Sequence, residues 1–378
     1  MTHIQKQFFA LLRSGLWGTP ADASLFDEQT DWKQLMQFAK KQALLGIIFD
    51  GVRTLPDEKQ PQRALHLQWC NVLMQIEETN ELLNRELANV YDLYRANGIE
   101  PILMKGQGVA QNYRNPLHRH SGDIDLYIGK VNYDLANQLL FREGTSKHEE
   151  SFKHTSIRWH GVDIENHRVL SRLSAPQSDR HLQQDINRYL NPAHCCKLPV
   201  GTCQVSVPSP SFDAAYLLLH SIIHFLSEGI GLRQVCDWTC LLYAQRENID
   251  RKEVAEILQK WGLTEGAKAF GAIATRYLGL PGEFLILPCE QQDLKTGDWL
   301  LDDIWKGGNF GKFDNRRKQR PEGYWQGKWN TYTHILNRCR ELGALAPVEA
   351  RWYPFKLLLY TFQTQANKLK KRPESHRN

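Results

Sequence analysis

The chain has 378 residues, 42% hydrophobic and 24% charged, with a mean hydropathy of −0.50 and a formal net charge of +5. That balance excludes global disorder, and no apolar run approaches the ~18 residues a membrane helix needs. The eight cysteines include no CxxC pair, which disfavours a zinc ribbon or a thioredoxin-type site and predicts reduced, mostly buried thiols.

At roughly 150 residues per domain the length suits two to three domains. The first apolar run, Phe8–Leu12, is too short for a secretory signal and is followed by Arg13, so a cytoplasmic location and no membrane partner are expected. Residues 1–98 read as a helical region. Apolar residues recur at three- and four-residue spacing over 21–52 and again over 63–96, where Gly98 ends the pattern. The period then changes. Residues 99–106 form a short apolar run closed by glycine, and 122–129 alternate acid with aliphatic between glycines, so both predict strands. A helix is expected over 132–142. A β-hairpin is expected around the turn His160-Gly161, and a second one over 194–207 around Pro199-Val200-Gly201-Thr202. Helices resume at Pro210, continue through 231–245 and 251–262, and give way to a predicted long loop over 306–330. A last amphipathic helix runs from about Glu349 into the tail. The fold class is α+β, a small mixed sheet within helices. It divides into residues 1–98, a core at 99–208, a helical bundle at 209–298, and a basic Trp-rich loop with a C-terminal helix at 299–378. This last region holds 16 Lys and Arg against 7 Asp and Glu, which predicts an anionic partner for it.

The chemistry concentrates in Asp123-Ile124-Asp125-Leu126. Two carboxylates two residues apart on a strand project from one face, while Ile124 and Leu126 point into a core. Such a pair repels unless a cation lies between, and Mg²⁺ or Mn²⁺ suits hard oxygen ligands. A third acid is available in Asp163-Ile164-Glu165-Asn166-His167, where Asp163, Glu165 and His167 share a face. If that strand lies beside the first, one of its acids completes a three-carboxylate cluster suited to phosphoryl chemistry. Upstream, Lys105-Gly106 ends the first strand. There a glycine lets backbone N–H groups approach a phosphate, and the following helix start favours anions.

The order of these parts resembles the polymerase β-like nucleotidyltransferase superfamily. It most resembles a bacterial family described as uncharacterised nucleotidyltransferases. The resemblance rests on Ile102-Leu103-Met104-Lys105-Gly106, then Tyr113, Pro116 and Arg119, then Gly122-Asp123-Ile124-Asp125-Leu126 and Glu165-Asn166-His167. It extends to His220 or His224, Gly231, Leu232-Arg233 and Asp237, and so covers about residues 99–240. The resemblance implies an Mg²⁺-dependent enzyme that moves a nucleoside monophosphate from an NTP to a small-molecule, protein or RNA acceptor, releasing pyrophosphate. Asp123, Asp125 and Glu165 (or Asp163) would hold the metal; Lys105, Gly106, Gln107 and Arg119 would hold the triphosphate. Where the superfamily usually has Gly-Ser or Gly-Gly, this chain has Gly106-Gln107, and the Gln107 amide is expected to stand in for the serine hydroxyl. The alternatives are a catalytically degenerate nucleotide-binding protein and an RNA-binding protein using the basic C-terminal region.

Three further features have plainer readings. His220 and His224, one helical turn apart with Glu228 a turn beyond, read as core histidines with backbone or carboxylate partners, with a metal-binding face as the sharper option. Arg233 and Asp237 read as an i,i+4 salt bridge, with contact between Arg233 and the nucleotide as the runner-up. Lys312, Arg316, Arg317, Lys318, Arg320 and Lys328, interleaved with Phe313, Tyr324 and Trp325, read as a solvated loop, with single-strand nucleic-acid binding as the sharper option.

Overall fold

A computed structural model describes residues 1–142, 146–313 and 323–370. Seven strands form one mixed sheet: β1 (Ile102–Met104), β2 (Asp123–Tyr127), β3 (Ser146–Glu150), β4 (His154–Trp159), β5 (Val162–His167), β6 (Cys196–Val200) and β7 (Cys203–Val207). Their order is β3-β4-β5-β2-β1-β7-β6. Only β2/β5 and β1/β7 pair in parallel; the remaining neighbours are antiparallel. The sheet lies within helices on both sequence sides, as an α+β chain requires.

Both expected hairpins form. His160 and Gly161 take φ of 42° and 89°, the left-handed pair that a two-residue turn between twisted strands needs. The second hairpin turns at Gly201-Thr202. Strand β3 and a helix at Pro176–Tyr189 were not anticipated. Few apolar residues mark either segment, and the helix buries only Ser178, Leu182 and Ile186. The loop expected over 306–330 is shorter. Helix Gln291–Gly307 enters it and helix Tyr324–Leu342 leaves it, while residues 314–322, with Arg316, Arg317, Lys318 and Arg320, lie outside the described residues. The last helix spans Pro347–Lys370, with Pro347 at its first position, where a missing N–H costs nothing. No helix of the described residues is long and apolar enough to cross a membrane. All eight cysteines are free thiols, four of them buried.

The 34-residue helix Arg63–Ala96 organises the core. Its Leu83, Leu87, Val90, Tyr91 and Tyr94 pack with Ile124, Leu126 and Ile164 on one face of the sheet. The opposite face of β2 and β5 is left for the acids, and helix Pro210–Ser227 stands across from it. That helix belongs to a second, mainly helical cluster that contains Phe212, Leu218, Trp238, Trp261 and the N-terminal helix His3–Trp17.

Candidate metal and nucleotide site

Strands β2 and β5 run side by side with Asp125 opposite Glu165 and Tyr127 opposite His167. Alternation then places Asp123, Asp125, Glu165 and His167 on the cleft side and Ile124, Leu126 and Ile164 in the core. Carboxylate oxygens of Asp123, Asp125 and Glu165 all lie within 4.8 Å of one another. Asp163, the other acid on this face, pairs with Arg158 at 2.9 Å across the hairpin.

Charge in this cluster is unevenly shared. Asp125 is 2% exposed, yet Lys105 Nζ at 3.0 Å and His167 Nε2 at 3.0 Å outweigh the effect of burial and hold its carboxyl well below the usual range. Asp123 is pushed up to about 6, chiefly by repulsion from Asp125 and then by burial. Burial pulls the Lys105 ammonium down, but Asp125 more than offsets this and its pKa stays raised.

The turn after β1 aims that ammonium. Lys105 has φ 55° and ψ −144°, a conformation L-residues rarely adopt, and Gly106 follows at φ 46°. A Cβ on Gly106 would stand 3.3 Å from the Asp123 carbonyl oxygen, so the turn and the first acid are in close approach. The helix it opens, Gly106–Ala110, is only five residues long.

Two residues expected at the triphosphate have hydrogen-bond partners within the chain, and one of them, Arg119, also lines the cleft. Gln107 is 2% exposed and turns away from the cleft: its Nε2 donates to Asn84 Oδ1 at 2.6 Å, so its amide does not replace a serine hydroxyl. Arg119 is buried, donating to both Asp237 oxygens at 2.7 and 2.8 Å and to Ser121 Oγ at 2.9 Å. Tyr113 also donates to Asp237 Oδ1, at 2.7 Å. Asp237 is therefore the anchor of the loop that leads into β2, and it is not paired with Arg233. The same loop is fastened to the N-terminal helices by His118, which bridges Asp50 and Glu77 at 2.7 and 2.8 Å.

Arg233 lines the same cleft as Arg119. It donates to the His120 carbonyl and has a buried Nε without a hydrogen-bond partner. Burial and the neighbouring Arg119 lower its pKa. Lys153 and Lys312 also line the cleft. The histidines expected in a core line it too: Tyr216, His220 and His224 recur every four residues on helix Pro210–Ser227 and face the acids. Burial, and then the cations around it, hold His220 well below its ordinary value, so it is neutral at pH 7. Four-residue spacing alone does not separate a cleft-facing stripe from a core stripe, and for that reason the sequence favoured a core for His220 and His224 and did not single out Tyr216.

The cleft encloses about 600 Å³. A larger groove of about 770 Å³ adjoins it between helices Trp32–Lys41 and Arg63–Ala96, sharing His120, Ser121, Asn309 and Lys312 with the cleft. The groove contains none of the clustered acids, so the chemistry belongs to the smaller space.

Oxygen-rich acids facing Lys105, Lys153, Arg233 and Lys312 suit a divalent cation together with a polyanion. No curated protein and no solved structure matches the chain. A family model described as uncharacterised nucleotidyltransferase matches residues 28–279, which take in the whole sheet, all three clustered acids, Lys105 and Arg233. The chain belongs to the uncharacterised nucleotidyltransferase family.

Proposed function

We propose that this protein is a metal-dependent nucleotidyltransferase that moves a nucleoside monophosphate from an NTP, ATP among those to be tested, to a hydroxyl acceptor. The convergence of Asp123, Asp125 and Glu165 opposite a cationic wall carries this reading. The donor set fits Mg²⁺ or Mn²⁺: three hard oxygens lie together, and the repulsion that raises Asp123 is relieved by a cation placed among them. When bound there, the cation supplies charge neutralisation at the reacting phosphate. Arg233, Lys153 and Lys312 offset the triphosphate charge, and Lys105 fixes the orientation of Asp125. Glu165, held by His167 Nε2 at 3.3 Å, is the carboxylate left to orient the acceptor hydroxyl. The acceptor hydroxyl gives up its proton toward Glu165, its oxygen bonds to the α-phosphorus as the α–β bridging P–O bond breaks, and pyrophosphate leaves with those electrons. In this reading Arg119 and the Gln107 side chain support the fold rather than the phosphates.

Incubating the protein with each α-labelled NTP, Mg²⁺ or Mn²⁺ and fractionated cell extract tests the reading. Label should move to an acceptor, and Asp125→Asn should reduce transfer by about 10³-fold or more, since the lost charge stabilisation amounts to several kcal/mol. Undiminished transfer by Asp125→Asn would overturn it. A second reading, nucleotide binding without transfer, is favoured by the withdrawn Gln107 amide. It predicts heat of NTP binding with no pyrophosphate release under any condition.

A further inference from the structure

Glu165 lies between two different sets of neighbours. On one side are Asp123 and Asp125. On the other are His154 and His167, which face each other directly across the β4/β5 hairpin. The two imidazoles stand 4.9 Å apart between ring centroids. His154 Nε2 is 3.8 Å from Glu165 Oε2, and His167 Nε2 is 3.3 Å from the same oxygen. One donor atom from each of the three residues lies within 4.8 Å of the other two.

We propose that His154, Glu165 and His167 form a second cation site, which takes a transition-metal ion and shares Glu165 with the all-oxygen cluster. Two imidazole nitrogens and one carboxylate oxygen form a borderline donor set, suited to Co²⁺ or Zn²⁺ and poorly suited to Mg²⁺. The all-oxygen cluster has the opposite preference. The two groups thus sort cations by donor chemistry even though they share a ligand.

The surrounding hydrogen bonds orient the half-buried His154. His154 Nδ1 faces Ser151 Oγ at 3.4 Å. Ser151 Oγ is itself held by the backbone N–H groups of Lys153 and His154, at 3.2 and 3.1 Å. With that edge of the ring engaged, Nε2 is the nitrogen turned to Glu165, the kind of outer support that fixes a metal-binding imidazole. His167 is buried and placed by the register of β5; its Nε2 also lies 3.0 Å from Asp125 Oδ1, a bond it gives up when it takes the ion. His154, Glu165 and His167 all line the cleft, so an ion can reach them from solvent.

The test reads metal binding alone, so its outcome is independent of whether nucleotides are transferred. The full chain, stripped of metal, is titrated with Co²⁺, and the visible ligand-field spectrum is followed. A nitrogen-containing, low-coordinate band should grow to one equivalent. His154→Ala should weaken that band's Co²⁺ affinity about tenfold or more, as should His167→Gln, while Asp123→Asn should leave it in place. Mg²⁺ in large excess should not displace the ion from this site. The imidazole nitrogen NMR signals of His154 and His167 in the unmutated chain should shift on addition of Zn²⁺, which covers the case in which a variant misfolds. A Co²⁺ titration of His154→Ala indistinguishable from the parent, or a band abolished by Asp123→Asn and untouched by His154→Ala, would overturn the proposal. So would imidazole signals that do not respond to Zn²⁺.

Discussion

Truncating Asp237 to alanine strands the Arg119 guanidinium, whose side chain is only 5% exposed. Removing one partner of a buried ion pair costs about 3–5 kcal/mol, because the remaining charge is left uncompensated. The Tyr113 hydroxyl loses its acceptor at the same time, adding about 1 kcal/mol. The combined loss of about 4–6 kcal/mol is a large part of the 5–15 kcal/mol that holds a domain folded. Urea unfolding followed by tryptophan fluorescence, in EDTA, measures it directly, because Trp238 sits one residue from the substitution in the same core. The companion variant Arg119→Met with Asp237→Leu and Tyr113→Phe removes every polar member of the group together. It should recover most of the loss, since apolar replacement of a buried pair is often neutral. A loss below about 1 kcal/mol in Asp237→Ala would refute the reasoning, because a buried pair cannot be broken so cheaply. Arg119→Ala separates the two roles of that residue. If it weakens NTP binding while leaving the urea midpoint in place, Arg119 belongs with the phosphates after all.

Asp123→Asn tests the crowding of the acids. The folded carboxyl titrates near 6 against an ordinary 3.8, so folding takes up a proton between these values. Its contribution favours the fold below about pH 4 and is lost as pH rises through about 6. In EDTA the variant should flatten the stability profile over that window and melt higher than the parent at pH 8; a thermal-shift series with unchanged slope would contradict this. Gln107→Ser removes the bond to Asn84 and leaves a half-buried acceptor without that donor, costing about 1 kcal/mol. It should bring no gain in NTP affinity by calorimetry, and a gain would show that a serine there reaches the cleft. Gly106→Val places a branched side chain at positive φ beside the Asp123 carbonyl. About 1–3 kcal/mol of backbone strain should move Asp123 and weaken both Mn²⁺ and NTP binding, read by calorimetry.

What the sequence discloses and what it conceals have physical causes. The strand bearing Asp123 and Asp125 was legible because alternation and flanking glycines fix both its extent and its faces. The third acid was legible only as a pair of candidates. Asp163 and Glu165 share a face, and the choice between them depends on register, which places Glu165 opposite Asp125 and gives Asp163 to Arg158. His154 was within reach of sequence reasoning: counting back from the His160-Gly161 turn puts it opposite His167. The pairing of Asp237 with Arg119 in place of Arg233 was not. Both lie near Asp237 in space, and an i,i+4 spacing suggests the wrong partner. Only the approach of a loop 118 residues away supplies the right one. Gln107 misled for a related reason, since the dipeptide Gly106-Gln107 says nothing about the long helix waiting behind it with Asn84.

The Arg119–Asp237 pair also sets an order of events at the ribosome. The acids at 123–165 are synthesised well before residue 237, yet the loop that carries Arg119 cannot leave water until its counter-ion arrives, because burying a lone guanidinium is prohibitive. A nascent chain halted short of helix Leu232–Ala244 therefore holds its acidic strands but neither the loop in its final place nor Arg233 on the far wall. The chain emerges N-terminus first, so the Arg119 loop and Arg233 take their places late, when helix Leu232–Ala244 docks, and Lys312 joins the cleft later still. Truncated products released before that step would carry the acids, Lys105 and Lys153 without Arg233 or Lys312.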